Sequence, residues 1–424
     1  MPTRITIENQ YESVHNIPYP SIAVCSPNQI TINALKHFNR TLVDGNRTID
    51  FKKTPPLFLG FYHILGDLDP SIIFHVEALI EANRYHAIDL MAMAAQSCEE
   101  FLKLCLFEGK AYPHCETLFY PVLTKIGLCC VFNNIYQFKI KNKRNEKIKN
   151  FKVRRINEKY TGLDTALRVV VDYNPENAVD HTVVDAGATR VMIMGATEFP
   201  AVYESNLARP HTESFHILHP TYTYCSEEVE SLPSNSRKCL FAHEMRVPHF
   251  GEYDSSNCNL MCHVDLIERH CHCLMHYVPY VRYDRACNIT SIPCIINVKV
   301  QMSNWHGENE CDCVRDCESY DYRSEMIVGN LNTIEHLVND PYEGVVFNNS
   351  TSILYFFVPS TYHVKKKQET VMSLVIFFSN LGGVYGLFLG CSLISAFELI
   401  FFIYLAIKNK FKNRVKVRPL NYIN

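Results

Sequence analysis

The sequence lacks the marks of several protein classes at once. Net charge is only −3, so no excess of either sign argues for a nucleic-acid partner. There is no HExxH helix, no nucleophile elbow and no Ser/His/Asp spacing above chance, so no catalytic motif points to an enzyme. No internal repeat and no low-complexity tract occurs. Residues 1–30 contain no basic stretch followed by an apolar one, so no signal peptide is legible. The partly apolar run 17–24 holds Pro18 and Pro20. Charge is nearly missing from residues 371–407, where Glu398 is the sole formal charge. Acid is missing just after, where Lys408, Lys410, Lys412, Arg414, Lys416 and Arg418 stand together.

What is present is 47% hydrophobic residues over 424 positions, enough for two or three domains with a large core. A bilayer core takes about 20 apolar residues as a helix, so the run at 371–407 is longer than one span needs. Gly382, Gly383, Gly386 and Gly390 weaken it as a simple helix. The basic tail sets the orientation against the weaker Lys365-Lys366-Lys367 cluster. Residues 1–369 are therefore expected outside the cell, 370–407 in the plasma membrane and 408–424 in the cytoplasm. Carrying 1–369 across a membrane requires an upstream apolar segment, so the chain reads as N-terminally truncated.

The chain has 18 cysteines, and five sequons, at Asn39, Asn46, Asn288, Asn348 and Asn349, all precede the apolar run. Together they favour an oxidising, extracellular compartment. Ten cysteines lie between Cys239 and Cys317. Close even spacing suits a disulfide ladder, with a zinc site on Cys258, Cys262, Cys271, Cys273, Cys311 or Cys313 with His263, His270 or His272 as the weaker reading. Spacing alone leaves the pairing open. Helical periodicity runs through residues 72–107 in one or two helices, and strands are expected at 127–132, 167–172 and 190–194. The basic run 139–155 reads as a solvated loop.

The cysteine order resembles the thumb of the degenerin/epithelial sodium channel family, which includes the acid-sensing channels. It runs Arg237-Lys-Cys239, Cys258, Cys262, Cys271-His-Cys273, Cys287, Cys294, Cys311-Asp-Cys313 and Cys317. Ile17-Pro-Tyr-Pro-Ser-Ile-Ala-Val-Cys25 resembles the segment after that family's first span, and Gly127-Leu-Cys-Cys-Val-Phe-Asn133 its Gly-x-Cys-x-x-Phe-Asn motif. The stretch from Asn380 to Leu399 resembles its second span. The resemblance implies the pairs Cys239–Cys317, Cys258–Cys313, Cys262–Cys311, Cys271–Cys294, Cys273–Cys287, Cys25–Cys129 and Cys105–Cys115. Cys98 and Cys130 are similar to an extra pair of insect pickpocket subunits, and Cys225 is left without an assignable partner. The implied fold class is α+β: a β-rich palm and β-ball, a helical finger at about 70–135 and a laddered thumb at about 225–320. This ectodomain would stand on a long C-terminal transmembrane helix, with the first transmembrane helix missing.

The implied function is a subunit of a trimeric, amiloride-sensitive, voltage-independent sodium channel, homo- or heteromeric with related subunits. It needs no cofactor, with Na+ as the permeant ion. Gly390, Cys391 and Ser392 fall on the family's selectivity belt. Ser379, Asn380, Gly383, Gly386 and Glu398 fall on its pore and gate. Small residues at Gly390 and Ser392 let three backbones approach an axis and present oxygens, although helix packing uses the same triplet. Glu398 is a carboxylate in an apolar span, which marks a water path or a partner. Asn380 departs from the aspartate frequent at that mouth position. A single-pass receptor or adhesion protein accounts for the cysteines and sequons, but not for an overlong span with Gly-x-Ser followed by Glu398.

Overall fold

A computed structural model describes residues 3–41, 57–66, 68–157, 159, 161–201, 205–303, 311–331, 341–372, 374–390 and 392–414. Asn46, Cys391, Lys416 and Arg418 lie outside the described residues. The chain starts with strands β1 (Thr3–Ser13) and β2 (Ser21–Cys25), then helices α1 (Ile32–Thr41), α2 (Pro70–Ala82), α3 (Ala87–Ala94) and α4 (Cys98–Phe101). Strands β3 (Leu102–Phe107), β4 (Lys110–Tyr112), β5 (Phe119–Thr124), β6 (Gly127–Phe132), β7 (Tyr136–Lys139) and β8 (Arg144–Lys147) follow. Next come β9 (Leu167–Asp172), β10 (Thr189–Met194), β11 (Ser205–Ala208) and β12 (Thr212–Cys225). Short helices α5 (Glu227–Glu230) and α6 (Ser234–Arg237) and the small pair β13 (Arg246–Val247) and β14 (Gly251–Glu252) precede α7 (Ser255–Cys271) and α8 (Ile292–Ser303). Strands β15 (Ser319–Asn330), β16 (Thr351–Phe357) and β17 (Tyr362–Thr370) lead to α9 (Leu374–Leu389) and α10 (Leu393–Arg414). The chain divides into two compact units. The larger holds Ile5–Ser226 and Lys238–Gln368; the smaller holds Met1–Arg4, Glu227–Arg237 and Glu369–Asn424.

The larger unit is built on two sheets. One has eight strands in the order β1-β17-β12-β16-β9-β3-β4, with β15 also paired to β12. β12 is its spine: β15 lies antiparallel along one edge, while β16 and then β17 lie parallel along the other. Pro220 falls where β16 pairing has ended at Ile217 and β17 pairing has not begun at Thr221, so its missing N–H costs no ladder bond on that edge. The second sheet, β11-β10-β2-β6-β5, is antiparallel throughout. β2 and β6 are buried along their whole length and form its middle. Mixed sheets with helices and many disulfides make the fold α+β.

The motif beginning at Gly127 has a backbone cause. Gly127 takes φ +124°, and a Cβ there would come within 1.8 Å of Gln29 Oε1. Only glycine enters β6 at this point. At the far end Asn133 takes φ +51°, its Nδ2 donates to Tyr19 O, and its Oδ1 accepts from Arg154 N at 2.9 Å. Between them Cys129 bonds Cys25 on the neighbouring strand, and Cys130, its side chain directed to the other face, bonds Cys98.

The helical periodicity of 72–107 resolves into α2, α3 and α4, and its last part is strand β3. Asp69 caps α2, its carboxylate accepting from Ser71 N at 2.9 Å, and Pro70 sits in the first turn, where a missing N–H is harmless. Leu102–Phe107 becomes a strand because β9, more than sixty residues on, offers it a ladder partner. The basic run also holds more than a loop, since β8 within it pairs with β7, the strand that leads into it.

α7 carries the ladder. Cys258 and Cys262, one turn apart on one helix face, bond Cys313 and Cys311 of the returning chain. Cys271 bonds Cys294 on α8, Cys273 bonds Cys287, and Cys239–Cys317 closes the base. Cys105–Cys115 ties β3 to the loop after β4. With every ladder cysteine in a disulfide, no thiolates remain there for zinc.

Gly127→Ala is expected to lower the stability of the folded chain by about 2 kcal/mol or more, through the forbidden φ and the Gln29 clash. Gly109→Ala, also at positive φ but with open space around its Cβ, is expected to cost less. Thermal unfolding of the purified full chain, compared side by side, checks both.

Candidate ion pathway

The expected pore residues lie in the smaller unit. The single long helix expected across 370–407 is corrected to two, α9 and α10, parted at residues 390–392. Gly390 takes φ +60°, the left-handed conformation that ends helices at little cost to glycine. Ser392 opens α10. Its Oγ accepts from Ser395 N at 3.3 Å, while Ser392 N donates to Ser395 Oγ at 3.4 Å, a reciprocal cap. Gly-x-Ser is thus a helix stop followed at once by a helix start.

The break has electrostatic consequences. The last carbonyls of α9 lack intrahelical partners, and the helix dipole leaves partial negative charge there. Ser379, Gly383 and Gly386 recur at three-to-four spacing and share one face of α9, with Asn380 at its border. Glu398 stands in the second turn of α10. Ser379, Asn380, Gly383, Gly386, Gly390, Ser392 and Glu398 are all exposed.

The same helices expose apolar side chains on every side. Val375, Ile376, Phe377 and Phe378 are consecutive, so they point around the whole circumference, and all are at least 43% exposed. Leu399, Ile400, Phe401 and Phe402 do the same on α10. Among the described residues no helix is long and apolar enough to cross a membrane. α9 has 16 residues, about 24 Å of rise against a hydrocarbon core of about 30 Å. α10 has 22 residues but carries Glu398 and the basic run from Lys408.

The larger unit holds titratable groups that spacing did not single out. Glu198, between β10 and β11, accepts from Gly195 N at 3.1 Å. Burial, with repulsion from Asp254, Asp316 and Asp321, pushes its carboxyl up to about 8. Asp254 caps α7, accepting from Asn257 N at 3.0 Å, and burial then Asp316 hold it at about 6. Asp316 is raised by burial and takes Ser255 N at 3.1 Å. These acids are separated by more than fifty residues, so no local pattern announces them. The exposed pair Glu227 and Glu228 sits on α5, and Glu308 and Glu310 lie outside the described residues. Cys225 Sγ at the end of β12 lies 3.8 Å from Cys239 Sγ and 3.5 Å from Gln368 Oε1. Asn348 and Asn349 are exposed, Asn39 lies on α1, and Asn288 Oδ1 caps a short turn through Ser291 N at 3.1 Å.

The chain thus joins a disulfide-stapled α+β domain to a broken pair of helices apolar on every side. The chain matches the family of amiloride-sensitive sodium channels over residues 1–402. It is 26% identical over 428 aligned residues to the sodium channel protein Nach of Drosophila melanogaster, covering 98% of this chain and 79% of that one. It is 24% identical to pickpocket protein 28 of the same fly, covering 95% and 69%. It is 22% identical to acid-sensing ion channel 4-B of Danio rerio, covering 96% and 66%. The chain belongs to the amiloride-sensitive sodium channel family, the degenerin/epithelial sodium channels, and its relatives include insect subunits.

Because Glu198 and Asp254 have raised folded-state values, the native chain binds more protons than the unfolded chain between the ordinary carboxylate range and about 8. The contribution of these two carboxyls to stability is therefore full below the ordinary carboxylate range and is lost as pH rises through about 6 for Asp254 and about 8 for Glu198. Glu198→Gln is expected to flatten the upper part of that fall, read as the thermal midpoint of the full chain across the pH range.

Proposed function

We propose that this chain is one subunit of a trimeric, amiloride-sensitive, voltage-independent sodium channel of the plasma membrane, assembled with copies of itself or with related subunits. The observation that carries the reading is the break at Gly390. In lipid, non-helical backbone is tolerated only where it is buried in protein or lines a water-filled path. A glycine stop and a serine start in an otherwise apolar run are costly unless their oxygens face ions. Three chains would bring three α9 C-termini and three Ser392 hydroxyls to one axis, replacing part of a sodium ion's water shell. Three copies of Glu398 would hold a negative ring below, raising the local cation concentration.

The remaining assignments follow the same reading. Residues 1–369 form the ectodomain, with a finger at about 70–135 and a thumb at about 225–320. Together α9, the 390–392 link and the apolar part of α10 make the second transmembrane segment at 370–407. Residues 408–424 are cytoplasmic. The segment 371–407 carries no Lys or Arg, so it offers no positive gating charge to the membrane potential. Ser379 on the small-residue face leaves room for neighbouring helices to close, and Asn380 at the mouth weakens the external negative field relative to an aspartate. Related proteins named as sodium channels, Nach among them, support the permeant ion.

Expressed in oocytes alone and with related subunits, the chain is expected to add an amiloride-blocked sodium current. Surface expression without such a current in any combination would overturn the reading. In the conducting combination, Ser392→Val is expected to reduce sodium-over-potassium selectivity, and Glu398→Gln to lower unitary conductance by about twofold or more. Ser379→Phe is expected to hold the channel open, seen as standing current without stimulus. Single-channel records and reversal potentials check all three.

A further inference from the structure

A cleft of about 600 Å³ opens in the larger unit between α3, α4 and the strands β5, β6 and β7. Its volume is that of a small-ligand site. The floor is apolar: Phe119, Leu128 and Phe138 are buried, while Met93 and Ile140 stand exposed at the edge. Apolar side chains left open to water beside a concave apolar floor indicate a surface that gains by being covered.

The charges around it are unequal. Asp89 lines one end with its side chain fully buried, held by His86 N at 2.9 Å and by Lys143 Nζ at 2.7 Å. That ion pair neutralises Lys143. Glu99 and Glu116 remain on the rim, both exposed. Three carboxylates against one ammonium leave the cleft with two negative charges in excess.

The rim is also fixed in place. Glu99 follows Cys98, bonded to Cys130 on β6, and Glu116 follows Cys115, bonded to Cys105 on β3. Ser97 caps the short helix bearing Glu99, its Oγ accepting from Glu100 N at 3.2 Å. Both carboxylates are thus carried on covalently anchored backbone, so little conformational entropy is lost when a ligand meets them.

We propose that this cleft binds a small amphiphilic organic cation, with a protonated amine or guanidinium between Glu99 and Glu116 and an aromatic or branched apolar body on the Phe119–Leu128–Phe138 floor. An inorganic cation has no use for the floor. An anion meets the excess negative charge. A neutral apolar molecule leaves the rim carboxylates without a partner. The inference rests on the larger unit alone and is independent of the pore reading.

The test uses purified full-length chain in detergent and two probes of nearly equal shape, cationic tryptamine and neutral N-acetyltryptamine, followed by calorimetric titration. One tryptamine per chain is expected, with N-acetyltryptamine about fivefold weaker or more, as loss of a partly desolvated charge contact implies. The pair Glu99→Gln and Glu116→Gln is expected to weaken tryptamine by about tenfold while leaving N-acetyltryptamine unchanged. Ala92→Trp, which fills the cleft, is expected to abolish binding of both. The exposed glutamine variants keep the test valid if the tryptophan variant does not fold. No tryptamine binding, equal binding of the two probes, or no response to the glutamine pair would each overturn the proposal. Since no current is measured, failure here and failure of the channel reading are separately visible.

Discussion

The Cys239–Cys317 bond sets the geometry of everything between its two cysteines. It closes a separation of 78 residues, and the four other ladder bonds all fall within that loop. A cross-link over so long a loop removes a large share of the unfolded chain's freedom, on the order of 4 kcal/mol in the chain-entropy view. Short backbone pairing takes over where it ends: Leu240 N donates to Arg315 O at 3.0 Å, and Cys317 N to Leu240 O at 2.9 Å. Arg315 then reaches Gln368 Oε1 on β17 at 2.6 Å. The base of the laddered arm is thereby fastened to the parallel strands β12 and β17, and β17 is the strand whose chain continues toward α9.

The second organising constraint is the interrupted helix. A continuous α-helix over the apolar run would satisfy every backbone group and would only span. Stopping it at Gly390 and restarting it at Ser392 exposes one set of carbonyls and one set of N–H groups at the same level. Serine answers the N–H side through its reciprocal cap with Ser395.

Legibility from sequence followed the range of the interactions involved. The cysteine ladder was readable because its order resembles a known arrangement, and each implied pair is a bond in the structure. The strands at β6, β9 and β10 were readable because their apolar runs are bounded by turn residues. β12 was not, since its Pro220 and alternating polar residues conceal a strand that three others stabilise. β3 was taken into a helix for a related reason: LKLCLF packs as well on a helix as in a sheet until β9 decides. Glu198, Asp254 and Asp316 carried no signal, because each is ordinary alone and acquires a raised carboxyl only from burial and from the others.

By itself, the sequence determined the cross-links' likeness to a family and the place of the long apolar run, because these rest on composition, cysteine order and local spacing. Tertiary structure alone decided that the long apolar run is two helices and that Cys225 lies against the Cys239–Cys317 bond. It decided too that Glu99 and Glu116 frame one apolar cleft. These depend on backbone dihedrals and on contacts between residues far apart in the chain, and one-dimensional spacing does not contain those distances.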